Sequence, residues 1–150
     1  MTKTGKTFVA VVILIVIAII VFFLQRTPTA SYSPAILNRE ILGNKDDLVS
    51  LSIAPNSKVH GVVSYTGSLK GGYFFEGNVQ IHILDASKTM IFDTNAVATG
   101  EWATSDPVAF EGSVDFTGLP LGPAYFEIHN DNPSGDPAND KSIEVPIIIE

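Results

Sequence analysis

The sequence predicts an all-β domain, an antiparallel β-sandwich of about seven short strands, set behind one N-terminal transmembrane helix. Three observations carry that reading. Apolar and polar residues alternate at a period of two along several stretches between residue 48 and the C-terminus. Turn-forming residues break those stretches at regular intervals. Ahead of them all lies a single uninterrupted apolar run, residues 8–24.

That run holds 17 residues without a charge, a glycine or a proline. At about 1.5 Å per residue it reaches roughly 26 Å, the short end of what crosses a bilayer core. In lipid its backbone groups have to bond to one another, which imposes a helix even on a β-branched sequence. Lys3 and Lys6 precede the run and Arg26 follows it. Positive charge on the leading side holds the N-terminus in the cytoplasm and sends the rest out, as a single-pass protein of the cell membrane. A cleaved secretory signal is the alternative, but its apolar part is ordinarily about 7–15 residues long and ends in small residues. The best cleavage candidate, Pro28-Thr29-Ala30, puts proline where a small residue is wanted. The expected organisation is an anchor over residues 1–25, an extracytoplasmic tether over 26–47 and a β-sandwich domain over 48–150.

The tether begins with proline, serine and threonine, which keep a chain extended and solvated. Ile36, Leu37, Ile41 and Leu42 then suit one or two helical turns, closed by Gly43-Asn44. From Leu48 the pattern turns strand-like. Val79, Ile81 and Ile83 alternate with Asn78, Gln80 and His82, and Phe110, Val114 and Phe116 share one parity. Phe126 and Ile128 oppose Glu127 and His129, and Ile143, Val145, Ile147 and Ile149 oppose Ser142, Glu144 and Pro146. One polar face per strand is the mark of half-buried antiparallel strands. Pro146 lacks an amide donor, so the last strand should be an edge there or carry a bulge. An odd number of strands would put the two ends of the domain at opposite poles, with Glu150 pointing away from the membrane.

Beyond residue 24, seven basic residues face all sixteen acidic ones, a net charge of −9. Nucleic acid and close docking on anionic lipid both need positive surface, so both are excluded as partners of the domain. No cysteine is present, so the core has to hold the domain together without disulfides.

Three groups of residues are candidates for chemistry. The loop Asp131-Asn132-Pro133-Ser134-Gly135-Asp136-Pro137-Ala138-Asn139-Asp140 packs hard oxygen ligands together, and Asp131, Asn132, Asp136, Asn139 and Asp140 suit Ca²⁺. It lacks the ligand spacing of an EF-hand. The other reading is a turn-rich loop whose Asx side chains bond their own backbone. His60, His82 and His129 fall on three separate strands with no paired spacing and no cysteine, which describes ordinary solvated histidines. Serine hydrolases announce themselves by Gly-x-Ser-x-Gly or Ser-x-x-Lys elements, and neither occurs. The expectation is a protein that is not an enzyme. Among the aromatics, Tyr73, Phe74 and Phe75 in succession cannot all face one side of a strand. Tyr73 and Trp102 are the candidates for partner binding, against burial between sheets as the alternative.

Residues from about 53 to 148 resemble the immunoglobulin-like domain of bacterial spore germination proteins. Three blocks carry the likeness: Gly71-Gly72-Tyr73-Phe74-Phe75-Glu76-Gly77-Asn78-Val79, then Ala98-Thr99-Gly100-Glu101-Trp102-Ala103-Thr104-Ser105-Asp106 with Val108-Ala109-Phe110-Glu111, then Asp131-Asn132-Pro133-Ser134-Gly135 with the closing Ile143-Glu144-Val145-Pro146-Ile147. The resemblance implies an immunoglobulin-like sandwich with no enzymatic site, a module that accompanies a germination domain for which this chain has no room. The expected function is a membrane-anchored, non-enzymatic, extracytoplasmic module. Its partners would be the lipid bilayer through residues 8–24 and an envelope protein or glycan. The alternative is a calcium-ordered spacer domain of an envelope assembly.

Overall fold

The computed structural model describes residues 39–150. The apolar run at residues 8–24 and most of the tether lie outside the described residues, and with them the expectations placed there. Among the described residues no helix is long and apolar enough to cross a membrane. Nine strands follow in order: β1 Leu42–Gly43, β2 Leu48–Leu51, β3 Ser57–Val59, β4 Val62–Leu69, β5 Asn78–Asp85, β6 Met90–Ala98, β7 Val108–Asp115, β8 Gly122–His129 and β9 Ser142–Ile149.

The all-β class and the main strands follow the alternation. Val79, Ile81 and Ile83 are fully buried on β5, as are Phe126 and Ile128 on β8 and Ile143, Val145 and Ile147 on β9. The strand count and the layering differ from expectation. Nine strands form one hydrogen-bonded sheet in the order β1-β9-β8-β5-β6-β7-β4-β2, with β3 added parallel to β9. β1 and β3 are two and three residues long, too short for a period of two to show. The single sheet curls at β6. That strand pairs with β5 from Asn78↔Val97 to Leu84↔Met90, but with β7 only at Val97↔Glu111 and Ala98↔Phe110. Past that hinge the halves face each other, and Tyr65 on β4 meets Phe126 on β8 edge to face with ring centres 4.9 Å apart. The β2-β4-β7 and β9-β8-β5 neighbours reproduce the A-B-E and G-F-C pairings of immunoglobulin domains.

The two inner walls are built differently. β5, β8 and β9 contribute mostly Val and Ile. β4 and β7 contribute Tyr65 and Phe110, each lying across a glycine of the neighbouring strand, Gly112 and Gly67. A Cβ at either glycine would strike the opposing ring. Absence of a side chain is thus what lets two large aromatics lie against the sheet.

The stretch 36–42 is not helical where it is described: Leu42 opens β1, which pairs with β9 at Glu144 and Ile143. Pairing to β9 lets Ile41 pack against the core, although Leu42 itself stays exposed. Just upstream, the Arg39 guanidinium donates to the carbonyls of Ala124 and Ile147 at 2.9 and 2.8 Å. The described chain therefore begins beside the C-terminal half of β9. The domain itself starts at the other pole: Leu48 pairs with Leu69 at the β4–β5 end, whereas the Glu150 amide donates to the Val59 carbonyl, so the two ends of the 48–150 domain lie at opposite poles, as expected. Val145 and Pro146 sit between the two short partners of β9, β1 and β3, so β9 has a free edge at Pro146, as expected, and the Pro146 carbonyl accepts from the Asn56 amide at 2.6 Å.

Candidate functional site

Three connections meet at the pole remote from Arg39. They are the β4–β5 loop (70–77), the β6–β7 loop (99–107) and the β8–β9 loop (130–141). Backbone approaches bind them together. The Gly71 Cα lies so close to the Thr104 carbonyl that no side chain fits. The Ala98 amide donates to the Gly77 carbonyl at 2.8 Å, and the Asp131 amide to the Tyr73 carbonyl at 3.3 Å. Gly77 has φ of 78°, in the left-handed region that glycine tolerates, and a side chain there would begin about 3.5 Å from the Trp102 indole.

The aromatics of this pole divide sharply. Tyr73, a residue the sequence marks for partner binding, is fully buried. Its hydroxyl donates to Asp47 at 3.2 Å, and Asp47 also holds Lys70 through an ion pair and a backbone hydrogen bond. Burial pushes the Tyr73 hydroxyl pKa up, and the charge and hydrogen bond of Asp47 push it further. Tyr73 is therefore a core residue that seals the pole, because the β4–β5 loop folds it inward. Trp102 stays 36% exposed, Phe75 41% and Val97 55%. Phe75 bridges Asn78, and Asn78 is the partner of Val97, so these side chains surround one turn. Beside them Gly71, Gly72, Phe74, Trp102, Thr104 and Ser105 line an open groove of about 450 Å³.

The acidic loop is organised by its own hydrogen bonds. Asp136 caps the 3₁₀ turn Pro137–Asn139 by accepting from the Ala138 amide at 3.0 Å. The Asn132 amide donates to the Asp136 carbonyl and to the Asp140 carboxylate, and Asn139 donates to Ser134. Buried Asn130 anchors the loop, donating to the Asn139 carbonyl at 2.9 Å and accepting from the Lys141 amide at 2.7 Å. Among the described residues, no group of three or more His, Cys, Asp or Glu side chains is arranged to hold a metal ion.

One further polar cluster lies on the outer face of β5, β8 and β9, just below this pole. His82 pairs with Glu127 at 2.8 Å, and both side chains are mostly buried. Burial pushes the Glu127 carboxyl pKa up, but the hydrogen bond from His82, the charges of His82 and His129 and the hydrogen bond from Ser142 outweigh it, so the net shift is downward. Among the described residues neither His82 nor His129 is hydrogen-bonded to a serine or threonine hydroxyl.

A family model, the immunoglobulin-like domain of bacterial spore germination, matches residues 54–136, more than half of the chain. The chain belongs to this family. No curated protein and no solved structure matches it. The immunoglobulin-like domain of this family is a non-catalytic module. The matched stretch contains the first two sequence blocks and Asp131 to Gly135 of the third, and the folded chain brings all three together at the loop pole. The closing residues Ile143 to Ile147 lie beyond the match, yet they form the centre of β9.

Sequence reasoning marked Trp102 but did not single out Phe75 or mark Val97, both more exposed. The run of three aromatics requires at least one to face outward, and Phe75 is the most exposed of them. Of the three histidines, His60 is exposed, as a solvated residue should be. His82 is not solvated, because Glu127 of the adjacent strand covers it. No signal in the one-dimensional pattern reports that contact.

Proposed function

We propose that this chain is a membrane-anchored, extracytoplasmic member of its family that works by binding an envelope protein or glycan at the loop pole. The observation that carries the reading is the group of Trp102, Phe75 and Val97, large apolar side chains left exposed about a turn held by the reciprocal Phe75–Asn78 and the Ala98–Gly77 backbone hydrogen bonds. Rigid exposed aromatics supply contact area at small entropic cost, which is how recognition surfaces gain affinity. Anchoring rests on the apolar run at residues 8–24 with its leading lysines. A net charge of −9 beyond residue 24 keeps nucleic acid out of the account.

The test is site-specific photo-crosslinking in cells from position 97, beside Trp102, and from position 121 on the β7–β8 loop at the opposite pole, where Leu121 is 74% exposed. A discrete adduct from position 97 that is absent from position 121 supports the reading, and impermeant labelling of the same cells checks the extracytoplasmic placement. Identical adduct patterns at the two positions, or none at either, would reject it.

A further inference from the structure

The register of β5 against β8 sets His82 opposite Glu127 and Gln80 opposite His129. The two histidines are thereby diagonal neighbours on one outward face, a separation that long side chains bridge. Their rings lie 5.5 Å apart, tilted by 35°. In each ring one nitrogen is already committed. His82 Nδ1 lies 2.8 Å from the Glu127 carboxylate, and His129 Nδ1 lies 2.7 Å from the Asn130 carbonyl. The carbonyl only accepts, and so does the ionised carboxylate, so Nδ1 carries the hydrogen in both rings and the lone pair of each neutral imidazole sits on Nε2. Metal-binding histidines are held in this way, one N–H tied to a carboxylate or carbonyl and the other nitrogen free for the ion.

The supporting layer is itself fixed. Glu127 is only 9% exposed, and Asn130 is buried and bonded at both ends of its side chain. An ion bound to both Nε2 atoms at about 2.1 Å brings the ring centres to roughly 5 Å. The observed separation of the ring centres, 5.5 Å, is close to that value. We propose that His82 and His129 bind one divalent late transition-metal ion, of the zinc, nickel or copper class, through their Nε2 atoms. Imidazole nitrogens select that class, whereas calcium and magnesium require oxygen. Two protein ligands leave the remaining positions to water, which describes an exchangeable ion and not a structural one.

The test uses the full chain in a mild detergent, titrated with ZnCl₂ and followed by calorimetry and by imidazole ¹⁵N resonances. One equivalent should bind, moving the Nε2 signals of His82 and His129 but not those of His60. His82→Gln and His129→Gln should each weaken binding at least about tenfold. His60→Gln should leave it unchanged. Glu127 acts here as a positioning residue, so Glu127→Gln should weaken zinc binding about tenfold while both Nε2 signals still respond. The resonance measurement is made on the unaltered chain and does not depend on any variant folding. Absence of saturable binding, Nε2 signals that do not move, or binding retained at full strength in both His82→Gln and His129→Gln would overturn the proposal.

Discussion

On the β2-β4-β7 half of the sheet the outward side chains are small and wet: Ser64, Thr66, Glu111 and Ser113. On the β5-β8-β9 half the outward side is crowded, with Glu127, Tyr125 and Ile148 buried there and His82 held beneath its carboxylate partner. Tyr125 lies under two cations, Arg39 at 4.4 Å and Lys88 at 3.4 Å from its ring centre, and Lys88 is ion-paired with Glu144. The inner walls invert the relation: aromatics over glycines on the first half, branched aliphatics on the second. The difference teaches that one half derives its stability from its inner side alone, whereas the other is held on both faces.

Substitutions that strike only one side of one half are the way to break that contrast. The largest effect should come from Phe110→Ala, which removes a ring packed against Tyr65 and Phe74 on the singly supported half. It should cost about 3–5 kcal/mol in denaturant unfolding. A loss below about 1 kcal/mol would show that the aromatic wall is not the support of this half. Next comes Gly112→Ala, whose added methyl meets the Tyr65 ring and should cost about 1–3 kcal/mol. Gly100→Ala meets no atom within 4 Å and serves as its control.

Glu127→Gln probes the outer side of the other half through pH. The folded-state pKa of Glu127 lies below its unfolded value, so its contribution is complete at neutral pH and is lost as the pH falls through the folded value. The wild-type advantage in melting temperature over Glu127→Gln should therefore be full at pH 7 and shrink below about pH 4. A difference that is constant from pH 7 to pH 3 would remove the carboxylate from the account. The smallest effect should be that of Ser64→Ala or Ser113→Ala on the open outer face, within about 0.5 kcal/mol of wild type. Adding Ca²⁺ should leave the melting temperature unchanged, since the carboxylates Asp136 and Asp140 are engaged within their own loop.

What the sequence disclosed follows the same division. Period-two patterning reports which residues face inward, so β5, β7, β8 and β9 were legible down to their inward-facing positions. It reports nothing about two-residue strands, and β1 escaped for that reason. It is equally silent on what covers an outward face. His82 and Glu127 look like ordinary polar positions until the register of β5 and β8 sets them opposite each other. Tyr73 and Trp102 were alike as one-dimensional signals. The loops decide between them, folding Tyr73 inward onto Asp47 and leaving Trp102 outside near Gly77. The family blocks were visible as motifs, but their meeting at one pole is a property of the fold.

The most direct measurement compares the full chain and Trp102→Ala for envelope binding, by co-sedimentation with purified cell-wall sacculi and by cross-linking in envelope membranes, with thermal melts run in parallel. The account predicts that Trp102→Ala melts close to wild type and loses binding. Wild-type binding by a normally folded Trp102→Ala would contradict the assignment of the loop pole as the recognition surface.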